Sequence, residues 1–284
     1  MRLAPCSLLI IMSNQIIIQP QKGWLCINFK ELFQYRELIG FLAWRDILAQ
    51  YRQTVFGVSW ALAKPISQAF IYTLIFGKVA KLSSSGLPYT LFTFCGIVAW
   101  GFFSTALTGS TGSTVANTNL ITKVYFPRLI IPISTLGRAS VDLLISLIIF
   151  AVMMSIYGIS PTWTILFFPL FLVLGIGITL GIGLIFSAIA VKYRDLAQAV
   201  PFMVQLWFWV TPVAYGLENI PERLAWIFYL NPMTWIIQGF RWSFLGVGQM
   251  DWQKIIITGL FSIAILLTGL FYFRRMESEF ADII

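Results

Sequence analysis

A chain of 284 residues, 58% of them hydrophobic and only 11% charged, is far poorer in charge than a soluble globular domain, where about a quarter of the residues are charged. Its mean hydropathy of +0.84 marks an integral membrane protein with several spans, so the net charge of +8 reports membrane topology rather than nucleic-acid binding. The chain has no histidine, which removes the commonest metal ligand and general base, and Cys6, Cys26 and Cys95 are too scattered for a disulfide framework or a zinc site.

In chain order, residues 1–30 are expected to be a partly disordered N-terminal segment. Arg2 and the run Leu8-Leu9-Ile10-Ile11-Met12 have a signal-like flavour, but the run is short and no small-x-small cleavage site follows it. Met12 is an alternative start.

Residues 31–56 read as an amphipathic helix of mixed charge carrying Glu31, Arg36, Glu37, Arg45, Asp46 and Arg52. Leu32, Tyr35, Ile39 and Leu42 share one face, and Phe41, Trp44, Leu48 and Tyr51 share nearly the opposite one. A helix lying flat on a membrane needs one apolar face. The second face predicts a bend near Gly40 or a protein partner.

The spans follow within a transmembrane domain of residues 57–273. They are predicted at Gly57–Val79, Tyr89–Gly109, Ile133–Tyr157, Trp163–Val191, Leu196–Tyr215 and Ile255–Phe273, ahead of a tail of residues 274–284. Six spans put both termini on one side. Lys78, Lys81, Arg223, Arg241 and Lys254 then lie on one face, and the other 14 of the 19 cations on the other. By the positive-inside rule both termini are cytoplasmic. Gly177-x-x-x-Gly181 in the fourth span predicts close helix packing.

Between spans five and six, Pro201 to Trp252 stays apolar without an uninterrupted membrane-length run. Asn219-Ile220-Pro221-Glu222 reads as a capped helix start, and Asn231-Pro232 ends that helix and begins another that runs into Gly246 and Gly248. Pieces of about 10–14 residues span about 15–21 Å at 1.5 Å per residue, well short of a bilayer core of about 30 Å. The pattern predicts a re-entrant helical hairpin on the outer face.

Ionisable groups near the spans are few. Arg138 and Asp142 stand i,i+4 and are expected to pair. No mid-membrane acid suggests a coupling-ion site. The chain has no G-x-x-x-x-G-K-[ST] phosphate loop and no H-E-x-x-H. Its acids, Asp195, Glu218 and Asp251 among them, are isolated, which leaves a membrane-embedded enzyme of glycan synthesis as a weaker alternative. The loop Asn117 to Arg128 mixes aromatics, two cations and a proline, and suits a short helix docking into a partner.

These segments carry a resemblance. Gln53-Thr54-Val55-Phe56-Gly57-Val58-Ser59-Trp60 leading to Lys64-Pro65 is similar to the start of the first span in type-2 ABC exporter permeases. So are Asn119 to Arg128, Tyr193-Arg194-Asp195, Trp207-Phe208-Trp209-Val210-Thr211-Pro212-Val213, Asn231-Pro232-Met233, Gly239-Phe240-Arg241 and Phe280-Ala281-Asp282. The subgroup it most resembles exports lipid-linked polysaccharide: O-antigen, capsule or teichoic acid. Permeases for drugs or small lipids are the alternative.

The resemblance implies an all-α polytopic homodimer of six-span subunits in the bacterial inner membrane, working with two copies of a cytoplasmic ATPase that holds ATP and Mg. This chain would bind no cofactor, metal or nucleic acid. Asn119, Leu120, Lys123, Tyr125, Phe126, Pro127 and Arg128 would couple to the ATPase, and Arg36, Trp44, Arg45, Asp46 and Arg52 would belong to the interface helix. Trp100, Phe102, Phe103, Trp207, Phe208 and Trp209 would be channel candidates, and Asn231, Pro232 and Arg241 gate candidates.

Overall fold

A computed structural model describes residues 33–52, 59–84, 86–124, 126–248, 250–277 and 280. The segment 1–30, Glu31 and Leu32, the motif from Gln53 to Val58, Tyr125 and Ala281-Asp282 lie outside the described residues.

The described residues are helical throughout, with no strand. The helices are α1 (Arg36–Tyr51), α2 (Ser59–Tyr72, continuing as a π-helical turn over Thr73–Val79), α3 (Tyr89–Ala116), α4 (Thr118–Lys123), α5 (Ile130–Ile156), α6 (Phe168–Lys192, entered through a 3-10 turn at Trp163–Phe167), α7 (Leu196–Trp209), α8 (Glu222–Leu230), α9 (Pro232–Leu245) and α10 (Trp252–Glu277). Four are long and apolar enough to cross a membrane: α3, α5, α10, and α6 with its 3-10 turn. They coincide with the second, third, sixth and fourth predicted spans.

The other two predicted spans come out differently. α2 has 14 α-helical residues with Pro65 inside and reaches Val79 only through the π turn. Proline removes one i→i−4 hydrogen bond, and a π turn often marks such irregular stretches. α7 likewise has 14 residues with Pro201 inside. It stops at Trp209, short of the expected Tyr215, because Thr211-Pro212 turns the chain and Thr211 Oγ1 donates back to the Trp207 carbonyl at 2.8 Å.

The bundle is built around α3. Every residue from Leu91 to Trp100 is buried, as expected of a helix that is apolar all round, and α2, α5, α6, α7 and α9 pack against it. α6 and α10 form the other large interface. A Cβ at Gly181 would meet the Ile265 backbone at 2.6 Å, and one at Gly269 would lie 2.9 Å from the Gly181 Cα. The small-residue spacing in α6 is therefore a packing device, with Ser262 Oγ donating to the Leu174 carbonyl at 2.9 Å.

The pair after α7 has unequal arms. α8 has nine residues, none buried. α9 buries most of its 14 residues and ends on Gly246 at φ 66, the left-handed conformation that glycine adopts without penalty. Asn219 does not cap α8, whose N-cap is Pro221. Its side chain instead pairs with the Ser83 backbone, accepting from the amide at 3.4 Å and donating to the carbonyl at 3.2 Å.

Candidate functional site

α1 runs unbroken through Gly40, so the expected bend is absent and each apolar face has its own destination. Tyr35, Leu38, Ile39 and Leu42 pack with Leu120, Ile121, Phe126, Ile130 and Ile131. Phe41, Trp44 and Leu48 stay exposed. The first face is thus covered by α4 and the start of α5 of the same chain. A Cβ at Gly137 would meet the Ala43 Cβ at 2.5 Å, which fixes how closely α1 approaches α5.

Polar contacts hold this unit at both ends. Arg45 donates to Asp46 at 2.8 Å and to Asn117 Oδ1, at the N-cap of α4, also at 2.8 Å. Tyr51 donates to Asp142 Oδ1 at 2.6 Å. Burial, then the hydrogen bond to Asp142, push the Tyr51 phenol above its usual range, so it remains a donor at neutral pH. Arg36 lies over the Phe33 ring at 4.8 Å, and Arg52 closes the helix through its amide to the Leu48 carbonyl.

On this base α4 presents Asn119, Thr122, Lys123 and Val124 to solvent, while Leu120 is half-buried and Phe126 and Pro127 are buried. Arg128 does not share the exposed surface. Its guanidinium donates to the Glu277 carbonyl at 2.6 Å, its amide donates to Glu277 Oε1 at 3.3 Å, and it lies 5.7 Å from the Phe280 ring. Phe280 is itself buried against Leu129, Leu184, Ala188 and Phe273. The end of this segment is thus tied to α10.

The channel candidates divide. Phe103 and Trp207 meet edge-on at 5.1 Å, and Trp207 donates to Asn231 Oδ1 at 3.2 Å, so both are spent on contacts within the subunit. Trp100, Phe102, Phe208 and Trp209 instead line a cavity of about 430 Å³ between α2, α3, α5 and α7. Phe208 stacks on Tyr72 at 5.6 Å, and Trp209 is 50% exposed.

The polar lining of that cavity includes Gln50, Lys64, Arg138 and Asp142. The expected Arg138–Asp142 pair is not formed: no ion pair joins them among the described residues. Tyr51 takes the carboxylate instead. The buried Arg138 Nε and Gln50 Oε1 have no hydrogen-bond partner. Position in sequence could not reveal this, because Tyr51 and Asp142 are 91 residues apart.

The gate candidates form one buried network. Asn231 caps α9 by accepting from the Met233 amide at 3.1 Å, and donates to Thr211 Oγ1 at 2.8 Å and to the Val210 carbonyl at 3.3 Å. Pro232 follows at the first helical position, where its missing N–H costs nothing. Arg241 is only 1% exposed. It donates to the carbonyls of Val213 at 2.5 Å and Tyr215 at 3.3 Å and sits 3.8 Å from the Phe92 ring centre. Gly96 makes room for it, since a Cβ there would overlap the Val213 carbonyl oxygen and come within 3.0 Å of the guanidinium. The turn after α7 is thereby clamped between α3 and α9.

Comparison with known proteins places this arrangement. The family described as ABC-2 type transporter matches residues 37–245. The O-antigen export system permease protein RfbA of Klebsiella pneumoniae is 31% identical over 241 residues, covering 84% of this chain and 92% of that protein. The protein of the same name from Myxococcus xanthus is 30% identical, covering 89% and 97%. The polysialic acid transport protein KpsM of Escherichia coli is 23% identical, covering 82% and 91%.

Proposed function

The chain belongs to the ABC-2 type transporter family, and from that membership we propose that it is the membrane permease subunit of an ATP-driven exporter of lipid-linked polysaccharide. Its alignment along nearly the whole length of O-antigen export permeases carries this reading, and its likeness to a polysialic acid transport protein points the same way. Membership implies a multi-pass membrane location and an ATPase partner on another chain.

In this reading two copies of the subunit pair, each with one cytoplasmic ATPase, in a bacterial inner membrane with both termini inside. α2 and α7, with the turns that extend them, complete a set of six spans. α8 and α9 form a re-entrant hairpin facing outward, held by Asn231 and Arg241. ATP-driven closure of the ATPases pushes on α4 at Asn119, Leu120 and Lys123. Because the apolar base under α4 joins it to α1 and to the start of α5, the push moves those helices together. A ligand shifts such an equilibrium only by contacting the two states differently, and exposed α4 is where that difference acts.

Lys123→Glu reverses charge on the exposed face of α4 without touching a buried group. It is expected to weaken recovery of the ATPase with the tagged permease and to lower ATP-dependent appearance of surface polysaccharide, with membrane abundance unchanged. Undiminished recovery and export would remove α4 from the coupling contact.

A further inference from the structure

Two side chains compete for Asp142, halfway along α5, and one of them holds it. Tyr51, in the last turn of α1, donates to Asp142 Oδ1 at 2.6 Å, the short contact of a hydroxyl on a carboxylate. Arg138 stands one turn earlier on α5, at the i,i+4 spacing that lets opposite charges meet on a helix. No ion pair joins it to Asp142 among the described residues, and its buried Nε has no hydrogen-bond partner. The winning donor belongs to a helix packed across α5, and the losing one to α5 itself.

The docked arrangement is incomplete on both sides. Gln50, beside Tyr51 in the chain, has a buried Oε1 without a donor. The α1 side and the α5 side of the junction therefore each carry an unsatisfied polar atom, a state that costs free energy. Withdrawing Tyr51 with no substitute would cost more, because it would leave a carboxylate unpaired in the bundle. Arg138 removes that penalty without any helix moving. Only its side chain has to turn, and pairing gives the guanidinium an acceptor.

The packing says where α1 can give way. Leu42 is buried against Ile130 and Ile131, and Ala43 lies against Gly137, which makes the middle of α1 a pivot. Tyr51 lies about 12 Å farther along the helix at 1.5 Å per residue, so a rotation about that pivot displaces it most. We propose that Asp142 is a partner-exchange switch: Tyr51 holds it while α1 is docked, and Arg138 takes it when the last turn of α1 leaves during transport. The three are positioning residues, which link α1 to the cavity wall that Arg138 and Asp142 line. The assignment rests on the export reading, in which a push on α4 moves α1, and adds which contact breaks and which one forms. Having a second partner ready is what lets a packed helix occupy two discrete positions.

The test measures hydrogen exchange of the α1 amides from Leu48 to Arg52 in nanodiscs, first with the full chain alone and then with its ATPase closed on a non-hydrolysable ATP analogue. In the chain alone, Y51F should speed exchange about tenfold, the scale of one hydrogen bond to a charged group. R138Q should slow it by a similar factor, because the released turn loses the pair that sustains it. Loss of a merely structural contact would act in the opposite sense. R138K should return exchange toward wild type, and in D142N, which lacks the charge at issue, R138Q should have no further effect. With the ATPase closed, exchange of the wild-type turn should rise about tenfold and that of R138Q should not. Thermal unfolding of each variant shows that it is folded.

Unchanged or faster exchange in folded R138Q would overturn the proposal, as would an R138Q effect of equal size with and without D142N. So would a wild-type turn whose exchange ignores closure of a bound ATPase, since α1 would then stay docked throughout the cycle. The export reading fails separately. Cells whose only permease is wild type would then show no ATP-dependent surface polysaccharide, while the measurements on the chain alone still decide whether Asp142 changes partner.

Discussion

Arg241 and Arg138 both place guanidinium nitrogen out of reach of solvent, yet the protein treats them in contrasting ways. Arg241, beside the first turn of α3, is gripped by two backbone carbonyls and an aromatic face. The Nε of each is without a partner, but Arg138, in the wall of the α2–α3–α5–α7 cavity, makes no carbonyl contacts like those of Arg241, and its neighbouring acid is already committed to Tyr51. The first is a clamp whose work is done inside the fold. The second lines a cavity and has no such grip. A buried cation gripped by backbone carbonyls has a structural task, and one that lines a cavity in a membrane is a candidate for a functional one.

The comparison breaks most visibly at the clamp. R241K keeps the charge but loses the planar fork, leaving at least one of the Val213 and Tyr215 carbonyls without a donor. It should cost about 2 kcal/mol, seen as a lower unfolding temperature in detergent and faster proteolysis of the α7–α8 turn. N231A removes the cap of α9 together with the donor to Thr211 and should cost about 1–2 kcal/mol. G181A forces a methyl group against the Ile265 backbone and should cost about 1–3 kcal/mol, measured the same way.

At the other end the effects should appear in function rather than in stability. E277A removes the carboxylate that accepts from the Arg128 amide at the end of the α4 segment, while the Glu277 carbonyl still accepts from the Arg128 guanidinium. It should lower permease-stimulated ATP hydrolysis about fivefold, the equivalent of one hydrogen bond, with abundance unchanged. Smallest of all is the stability effect of R138Q, within about 0.5 kcal/mol, because no internal contact of its Nε is lost. A large drop in unfolding temperature for R138Q would erase the distinction between the two arginines.

Much of the architecture was legible from pattern. Long apolar runs marked α3, α5, α6 and α10, since an uninterrupted apolar helix of that length has few homes other than a membrane or a core. Asn231-Pro232 announced a helix start because polar cap and proline act locally, and that start is where α9 begins. The two-faced stripe of α1 is present, but the bend predicted near Gly40 is not; the first face is covered within the chain and the second stays exposed. What failed was pairing. Arg138 and Asp142 stand one turn apart, and adjacency on a helix suggested a bond, but a tyrosine on another helix won the carboxylate. The pattern makes Asn219 a cap, and its side chain reaches the Ser83 backbone instead. Arg128, one of the predicted coupling residues, is held by Glu277, a contact no local pattern shows.

Composition and periodicity alone settled that this is a helical membrane protein, where its longest helices lie, and that it lacks a phosphate loop of its own. Those properties follow from the cost of taking charge and backbone out of water, which every residue registers locally. Which polar groups meet was decided only by folding. Hydrogen bonds form within about 3 Å, and which side chains come that close depends on how helices from distant parts of the chain cross. The closed arginine and the open one therefore look alike in sequence and become different only in the bundle.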